Sequence, residues 1–268
     1  MPEGTRKPPE PLSFRAAPVQ RLRRLVRDSA QRRASGAFVI EGATLLDEAL
    51  DAGAAIDAVY VDAGVDDAAV QRARDAGIGV HVVAPGVVGR VADTVTSRPV
   101  LAVVAAVDVP MEKLRDASLV VVCAGLADPG NLGTVLRVAE AAGAEGVLCC
   151  AGSVDVYNPK TVRASAGSIF HVPVVVGGDP GEVLSQLGAW GLRRLATRPH
   201  GGHPYDGTDL TRRVAIVLGS EAHGLDAALD SVVDEYVTIP MAGRTESLNV
   251  AMAAAVVTFE AARQRRVA

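Results

Sequence analysis

Four polar stretches of this 268-residue chain carry side chains suited to chemistry, and each follows an apolar run. DPGNLGTVLRVAEAAGA holds Asn131 and Arg137; NPKTVRASAGSIF holds Arg163, Ser165 and Ser168. LGSEAHGL sets Ser220, Glu221 and His223 between Gly219 and Gly224, and IPMAGRTESLNVAMAAAV puts Glu246, Ser247 and Asn249 in front of a run of small apolar residues. Amides, hydroxyls, a carboxylate and a guanidinium can together hold and orient a polar ligand, while neighbouring glycines let backbone N–H groups approach it closely. LGSEAHGL lacks the Lys and Ser/Thr of a phosphate-binding P-loop and lacks G-x-G-x-x-G, so neither the nucleoside-triphosphatase nor the dinucleotide fingerprint applies.

Each polar residue also has a plainer reading. Asn131 is expected as a helix N-cap, and Ser247 or Glu246 as the cap of the last helix. Asn249 is expected inside that helix, where Asn is a poor former, so it needs a hydrogen-bonding partner. On a helical wheel Arg137 lies about 140° from Leu132, clear of the stripe formed by Leu132, Val135, Leu136, Ala139 and Gly143. His200 and His203 in RPHGGHPYDG are spaced as metal ligands would be, but the crowding Gly and Pro predict a surface loop. His223 is placed to meet either substrate or solvent.

The elements that must position these residues are legible as apolar runs. AFVIEG, AVYVD, VHVVA and PVLAVVAAV read as strands in the first part of the chain. Helical spacing separates them in TLLDEALDAG and DAAVQRARDAG, which end in Gly53 and Gly77, the usual residue after a helix. In the second part LVVVCAGL, GVLCCA, HVPVVVG, VAIVLGS and EYVTIPM are continuous Val/Ile/Leu-rich runs, as strands covered on both faces require. The pattern predicts α/β domains, the second with a mostly parallel sheet, in which ligands bind beyond the carboxyl ends of the strands. The polar stretch 108–118 marks the boundary. We expect a basic arm at 1–36, a small domain at 37–108, a linker at 109–117 and the main domain at 118–268.

An apolar content of 49% is enough to bury such cores. The apolar runs are shorter than a membrane span needs and the N-terminus has no apolar signal core, so the expectation is a soluble cytoplasmic protein. Cys123, Cys149 and Cys150 show no C-x-x-C spacing, which argues against zinc and against a disulfide framework. They read as small core residues. The net charge is −4, but residues 1–33 hold nine Lys/Arg against three acids, a net +6 that leaves −10 for the remainder. That segment reads equally as a solvated tail or as an RNA-contacting arm.

Taken as a set, DPGNLGTVLRVAEAAGAEGVLC, NPKTVRASAGSIFHVP, IVLGSEAHGL and IPMAGRTESLNVAMAAA resemble, in this order, the SpoU (TrmH-like) branch of the SPOUT RNA methyltransferases. FVIEGATLLDEAL and RPVLAVVAAV resemble the small ribosomal-protein-like substrate-binding domain that precedes the catalytic domain in members acting on ribosomal RNA. The resemblance implies transfer of a methyl group from S-adenosylmethionine to a ribose 2′-hydroxyl of RNA, without metal, by a homodimer whose C-terminal segment forms a trefoil knot. It implies cofactor contacts from Leu218, Gly219, Ile239, Met241, Leu248 and Ala251. It also implies a catalytic set of Arg137, Asn131, Glu221, Ser247 and Asn249. Arginine is effectively always protonated, so Arg137 is expected to bind the adjacent phosphate and orient the hydroxyl rather than act as a base. RNA contacts are expected from Arg163 and Ser165, with Arg23 and Arg24 of the basic segment. Ribosomal RNA is favoured over transfer RNA because of the N-terminal domain. Two rival readings are a non-catalytic RNA-binding module of the same fold and a Rossmann-type oxidoreductase, the latter disfavoured by the missing glycine fingerprint.

Overall fold

The apolar runs pair into two sheets, one in each of the two units, residues 1–106 and 107–268, into which the chain divides. The structure is a computed structural model and describes residues 10–92 and 99–267. In the first unit α1 (Ala17–Arg27) and α2 (Ser29–Ser35) lead into β1 (Ala37–Glu41), α3 (Ala43–Asp51), β2 (Ile56–Asp62), α4 (Ala68–Asp75), β3 (Val80–Val83), α5 (Val87–Ala92) and β4 (Val100–Ala105). The sheet order is β1-β4-β2-β3, with β4 antiparallel to β1 and β2, and β2 parallel to β3. Gly53 and Gly77 follow α3 and α4 with positive φ, as the sequence predicts.

The basic segment is not a free arm over its described part. α1 buries Val19, Leu22 and Leu25 in the same core as Val39, Tyr60 and Leu101. Arg32 is buried and donates to the carbonyls of Leu25 and Val26, closing the C-terminus of α1. Asp28 caps α2 by accepting from the N–H of Ala30 and Gln31. Every third or fourth residue of α1 is thus apolar and inward, and Arg21, Arg24 and Arg27 between them face outward. Arg24 and Arg33 are exposed, whereas Arg23 lies 4.6 Å over the Phe14 ring and donates to Gln20. Residues 1–9 of the expected arm lie outside the described residues.

The second unit runs through a 3₁₀ turn (Met111–Leu114), β5 (Leu119–Cys123), α6 (Pro129–Ala141), β6 (Gly146–Cys149), α7 (Pro159–Ser165), β7 (Val174–Val176), α8 (Pro180–Ala189), β8 (Arg193–Thr197), β9 (His203–Pro204), β10 (Val214–Leu218), β11 (Glu235–Thr238) and α9 (Val250–Val267). The expected linker belongs to this unit: the Val109 N–H donates to the Val174 carbonyl and Leu114 is buried. The sheet order is β7-β6-β5-β10-β8-β11-β9, and every pair of neighbours among these strands is parallel. β5, β6 and β10 are buried along their whole length, as strands covered on both faces must be. The three cysteines are free and buried.

Two features of this sheet place the site. The chain direction across the sheet reverses between β5 and β10, which opens a crevice at their carboxyl ends. Beside it, β11 is inserted between β8 and β9, which are joined by only the five residues 198–202. That crossing is tight: a Cβ on Gly202 would come within 2.8 Å of the Tyr236 carbonyl oxygen. After β11 the chain reaches α9, which packs on α6 and β10. Arg265 fastens its far end by donating to the carbonyls of Leu210, Ser118 and Arg212 and to the Ser118 hydroxyl.

Candidate active site

The N-terminus of α6 is built by Asp128, not by Asn131. The Asp128 carboxylate accepts from the Asn131 N–H at 2.9 Å, and Pro129 fills the first helical position, where a missing N–H costs nothing. Asn131 therefore sits in the first turn with its side chain free for other work. Lys160, from the first turn of α7, pairs with Asp128 at 3.0 Å; with the Asn131 N–H it holds the Asp128 carboxyl below its usual range. The two helices approach closely because residue 133 is glycine: a Cβ there would lie 2.4 Å from the Thr161 carbonyl oxygen.

Glu221 ties the loop after β10 to this helix. One oxygen accepts from the Ala127 N–H at 3.0 Å; the other accepts from the Asp128 N–H at 3.2 Å and the Asn131 side-chain amide at 2.9 Å. Partial burial works to raise the Glu221 carboxyl, but these hydrogen bonds together outweigh it and hold the group below its ordinary value. Such a group contributes stability above the carboxyl range and loses it as pH falls through the lowered folded-state value.

The Asn131 carbonyl oxygen in turn accepts from the Asn249 side-chain amide at 2.9 Å. Asn249 is not inside the last helix, as its neighbours suggest, but is its N-cap: its oxygen accepts from the N–H of Ala251 at 2.9 Å and of Met252 at 3.3 Å. Neither Glu246 nor Ser247 caps α9, which starts at Val250. A continuous chain Glu221, Asn131, Asn249 thus links the loop after β10, the start of α6 and the start of α9.

This chain borders a cleft of about 850 Å³ beyond the strand ends. Of the predicted catalytic residues, Asn131, Glu221, Ser247 and Asn249 line it; of the predicted cofactor residues, Gly219, Ile239, Met241 and Leu248 do. Leu218 and Ala251 are buried outside the lining, and Arg137 is exposed on α6, also outside it. Arg163 is half-buried in the last turn of α7. Ser165 is fully buried and its hydroxyl donates to the Val162 carbonyl, so it offers RNA no surface. The end of β8 contributes Thr197 to the cleft and the crossing after it Arg198 and His200, which the sequence reading assigns to a surface loop or passes over. His223 lines it as well.

The lining suits S-adenosylmethionine. Val237, Ile239, Met241, Leu248 and Val257 offer an apolar wall for an aromatic base, and Ser247 with the backbone around Gly219 offers fixed polar groups. The carboxylates of Glu221 and Glu246, on the same lining, favour a ligand that carries positive charge.

The protein is thus a parallel α/β domain whose post-strand loops converge on one cleft through the chain Glu221, Asn131, Asn249. Residues 118–259 match the SpoU rRNA Methylase family, and the chain belongs to it. Residues 17–102 match the MRM3-like substrate binding domain. The chain is 34% identical over 229 residues to the 23S rRNA (guanosine(2553)-2'-O)-methyltransferase RlmP of Bacillus subtilis (strain 168), covering 85% of this chain and 90% of that one. It is 39% identical over 176 residues to the 23S rRNA (uridine(2479)-2'-O)-methyltransferase of Streptomyces viridochromogenes, covering 61% of this chain and 60% of that one. Among solved structures, the SpoU methyltransferase AviRb of Streptomyces viridochromogenes in complex with the cofactor AdoMet superposes with a TM-score of 0.84 at 29% identity, covering 94% of this chain and 100% of that one.

Proposed function

We propose that this protein methylates a ribose 2′-hydroxyl of ribosomal RNA, with the second unit catalytic and the first unit holding the substrate. The observation that carries this reading is the convergence of Asn131, Glu221, Ser247 and Asn249 on one cleft, in a family whose named relatives modify 23S rRNA at that position. S-adenosylmethionine supplies the methyl group. Gly219, Ile239, Met241 and Leu248 bind it, while Glu221 and Asn249 hold the Asn131 amide, and with it the start of α6, in one orientation. Holding reacting groups in place is worth up to roughly 7–11 kcal/mol of barrier. Arg137 lies six residues, about 9 Å of helix, beyond Asn131 and binds the phosphate next to the target ribose, on its own or the partner's substrate.

Mass-spectrometric mapping of ribose methylation, after incubation with unmodified ribosomal RNA and labelled S-adenosylmethionine, tests the reading. Label in transfer RNA with none in ribosomal RNA would overturn the substrate, and calorimetry without donor uptake would leave a non-catalytic RNA-binding module. A ribosomal substrate implies a cytoplasmic enzyme. The insertion of β11 between β8 and β9 supports a trefoil knot, because the chain leaving β11 has to pass the five-residue crossing that encloses it.

The outer face of α9, with Met252 62% and Phe259 45% exposed beside the cleft's Leu248, supports a homodimer through this helix. Met252→Lys is expected to convert dimers to monomers in sedimentation equilibrium; an unchanged mass would count against this interface. For the substrate unit, the exposed arginines of α1 and α2 are the expected phosphate ligands. Because α1 is part of the core, they are tested by side-chain replacement rather than deletion. Changing Arg24 and Arg33 to Gln should lower the slope of log affinity against log salt by about 2, close to one for each phosphate that is no longer neutralised. A slope identical to wild type would remove these two residues from the interface.

A further inference from the structure

We propose that the imidazole of His223 takes the proton of the ribose hydroxyl during methyl transfer, an inference that rests on the methyltransferase reading above. A neutral hydroxyl must lose its proton as its oxygen bonds to carbon, and Arg137 cannot receive it. Four side chains on the cleft lining can act as proton acceptors: Glu221, Glu246, His200 and His223.

Glu221 is spent. Both its oxygens are engaged by three N–H donors, and those bonds hold its carboxyl low, which makes it a weaker base. Of the three that remain, Glu246 is a carboxylate that precedes α9, and His200 and His223 are imidazoles, the side chain most often used in general acid–base catalysis.

The two histidines stand on different elements. His200 belongs to the crossing, which is tied to β11 by the Arg198 N–H to the Val237 carbonyl at 3.0 Å and by the Thr238 hydroxyl to the Pro199 carbonyl at 2.8 Å. It therefore goes with β11 and its Val237, away from the start of α6. His223 lies two residues from Glu221, whose carboxylate accepts from the Asn131 amide at the start of α6, the helix that carries Arg137. The turn that carries it is fixed: Ser220 and Gly224 exchange backbone hydrogen bonds of 2.8 Å, and the Ser220 hydroxyl accepts from the N–H of Ala222 at 3.2 Å and of His223 at 3.4 Å. Its exposure leaves the proton a path to water. The other charged and titratable groups on the cleft lining are Glu221 on the same turn, Arg198 and His200 on the crossing, and Glu246 before α9.

In the step, the hydroxyl proton passes to the lone pair of a neutral ring nitrogen, and the freed oxygen pair forms the bond to the methyl carbon. The carbon–sulfur bond breaks with its electrons remaining on sulfur. The products are a methyl ether, a neutral thioether and an imidazolium, which releases its proton to solvent.

The test uses the full chain, saturating S-adenosylmethionine and an rRNA transcript in single turnover from pH 5.5 to 9. The wild-type rate should rise with pH and level off. His223→Gln should be about a hundredfold slower with a flattened profile, within the range that general base catalysis contributes, while donor affinity stays within about threefold. Added imidazole should restore at least about tenfold to His223→Ala. Independently of turnover, the ring resonances absent from the His223→Gln spectrum should shift when target RNA is added to the protein without donor. A His223→Gln enzyme with the wild-type rate and profile would overturn the proposal, as would a loss confined to His200→Gln. A wild-type protein silent toward every RNA would instead overturn the reading beneath it.

Discussion

Asn131→Asp should lose methyl transfer by about a hundredfold or more at pH 8 and regain part of it, relative to wild type, near pH 5.5. In the native site the Asn131 amide nitrogen donates to Glu221 at 2.9 Å while its oxygen accepts from Asn249. Aspartate keeps the acceptor and replaces the donor with an oxygen facing a carboxylate. Two carboxylates at that spacing do not both stay ionised, so the pair gains affinity for one proton. The protonated pair, which restores a hydrogen bond, is present below that raised value and lost as pH rises through it. At pH 8 the repulsion pushes the α6 start from the loop after β10, and a displacement of the order of 1 Å costs about 10² in rate. The comparison must be made as a mutant-to-wild-type ratio at each pH, because the wild-type rate is itself expected to fall in acid. A ratio that is flat from pH 5.5 to 8, or within threefold of unity at pH 8, would contradict the role given to this pair.

Gly219→Val should weaken donor binding by about 5- to 150-fold while leaving RNA affinity within about threefold. A Cβ at residue 219 would stand 2.3 Å from the Gly224 carbonyl carbon and the Leu225 nitrogen. Both are backbone atoms, so relief requires opening the turn from Ser220 to Gly224, which breaks its paired 2.8 Å hydrogen bonds and shifts Glu221. Overpacking of this kind costs roughly 1–3 kcal/mol, which corresponds to about 5- to 150-fold in affinity if expressed at the donor site. Isothermal calorimetry and filter binding read the two affinities separately. Wild-type donor affinity in a folded Gly219→Val protein would show that this turn does not shape the pocket.

Much of this site was legible in the residues because its polar groups follow strands whose apolar runs are uninterrupted, as at Leu119–Cys123 and at Val214–Leu218. β8 was not legible. Its two arginines, Arg193 and Arg194, hide a strand behind charge, and only the structure supplies their partners Glu235 and Asp234 across the sheet. Asn131 and Asn249 were assigned opposite local roles from those they play. For Asn131 the correct signal was present, since Asp-Pro marks a cap followed by the first helical residue. For Asn249 it was not, because whether α9 begins at 247 or 250 depends on the partner that Asn131 provides across 118 positions. His200 sits in Gly- and Pro-rich sequence that fits a surface loop, and nothing local reveals that β11 inserts beneath it. Ser165 marks the limit of transfer by resemblance, because its hydroxyl is engaged within its own helix.

The place of β11 between two strands that precede it has a consequence for synthesis. Sheet neighbours of β11 lie about 30 to 40 positions earlier in the chain, and the wall from Ile239 to Val257 closes the cleft last. A nascent polypeptide that has exposed residues 1–230 holds every strand of both sheets except β11, and its cleft still lacks the wall from Ile239 to Val257. Synthesis therefore finishes the scaffold well before it finishes the pocket.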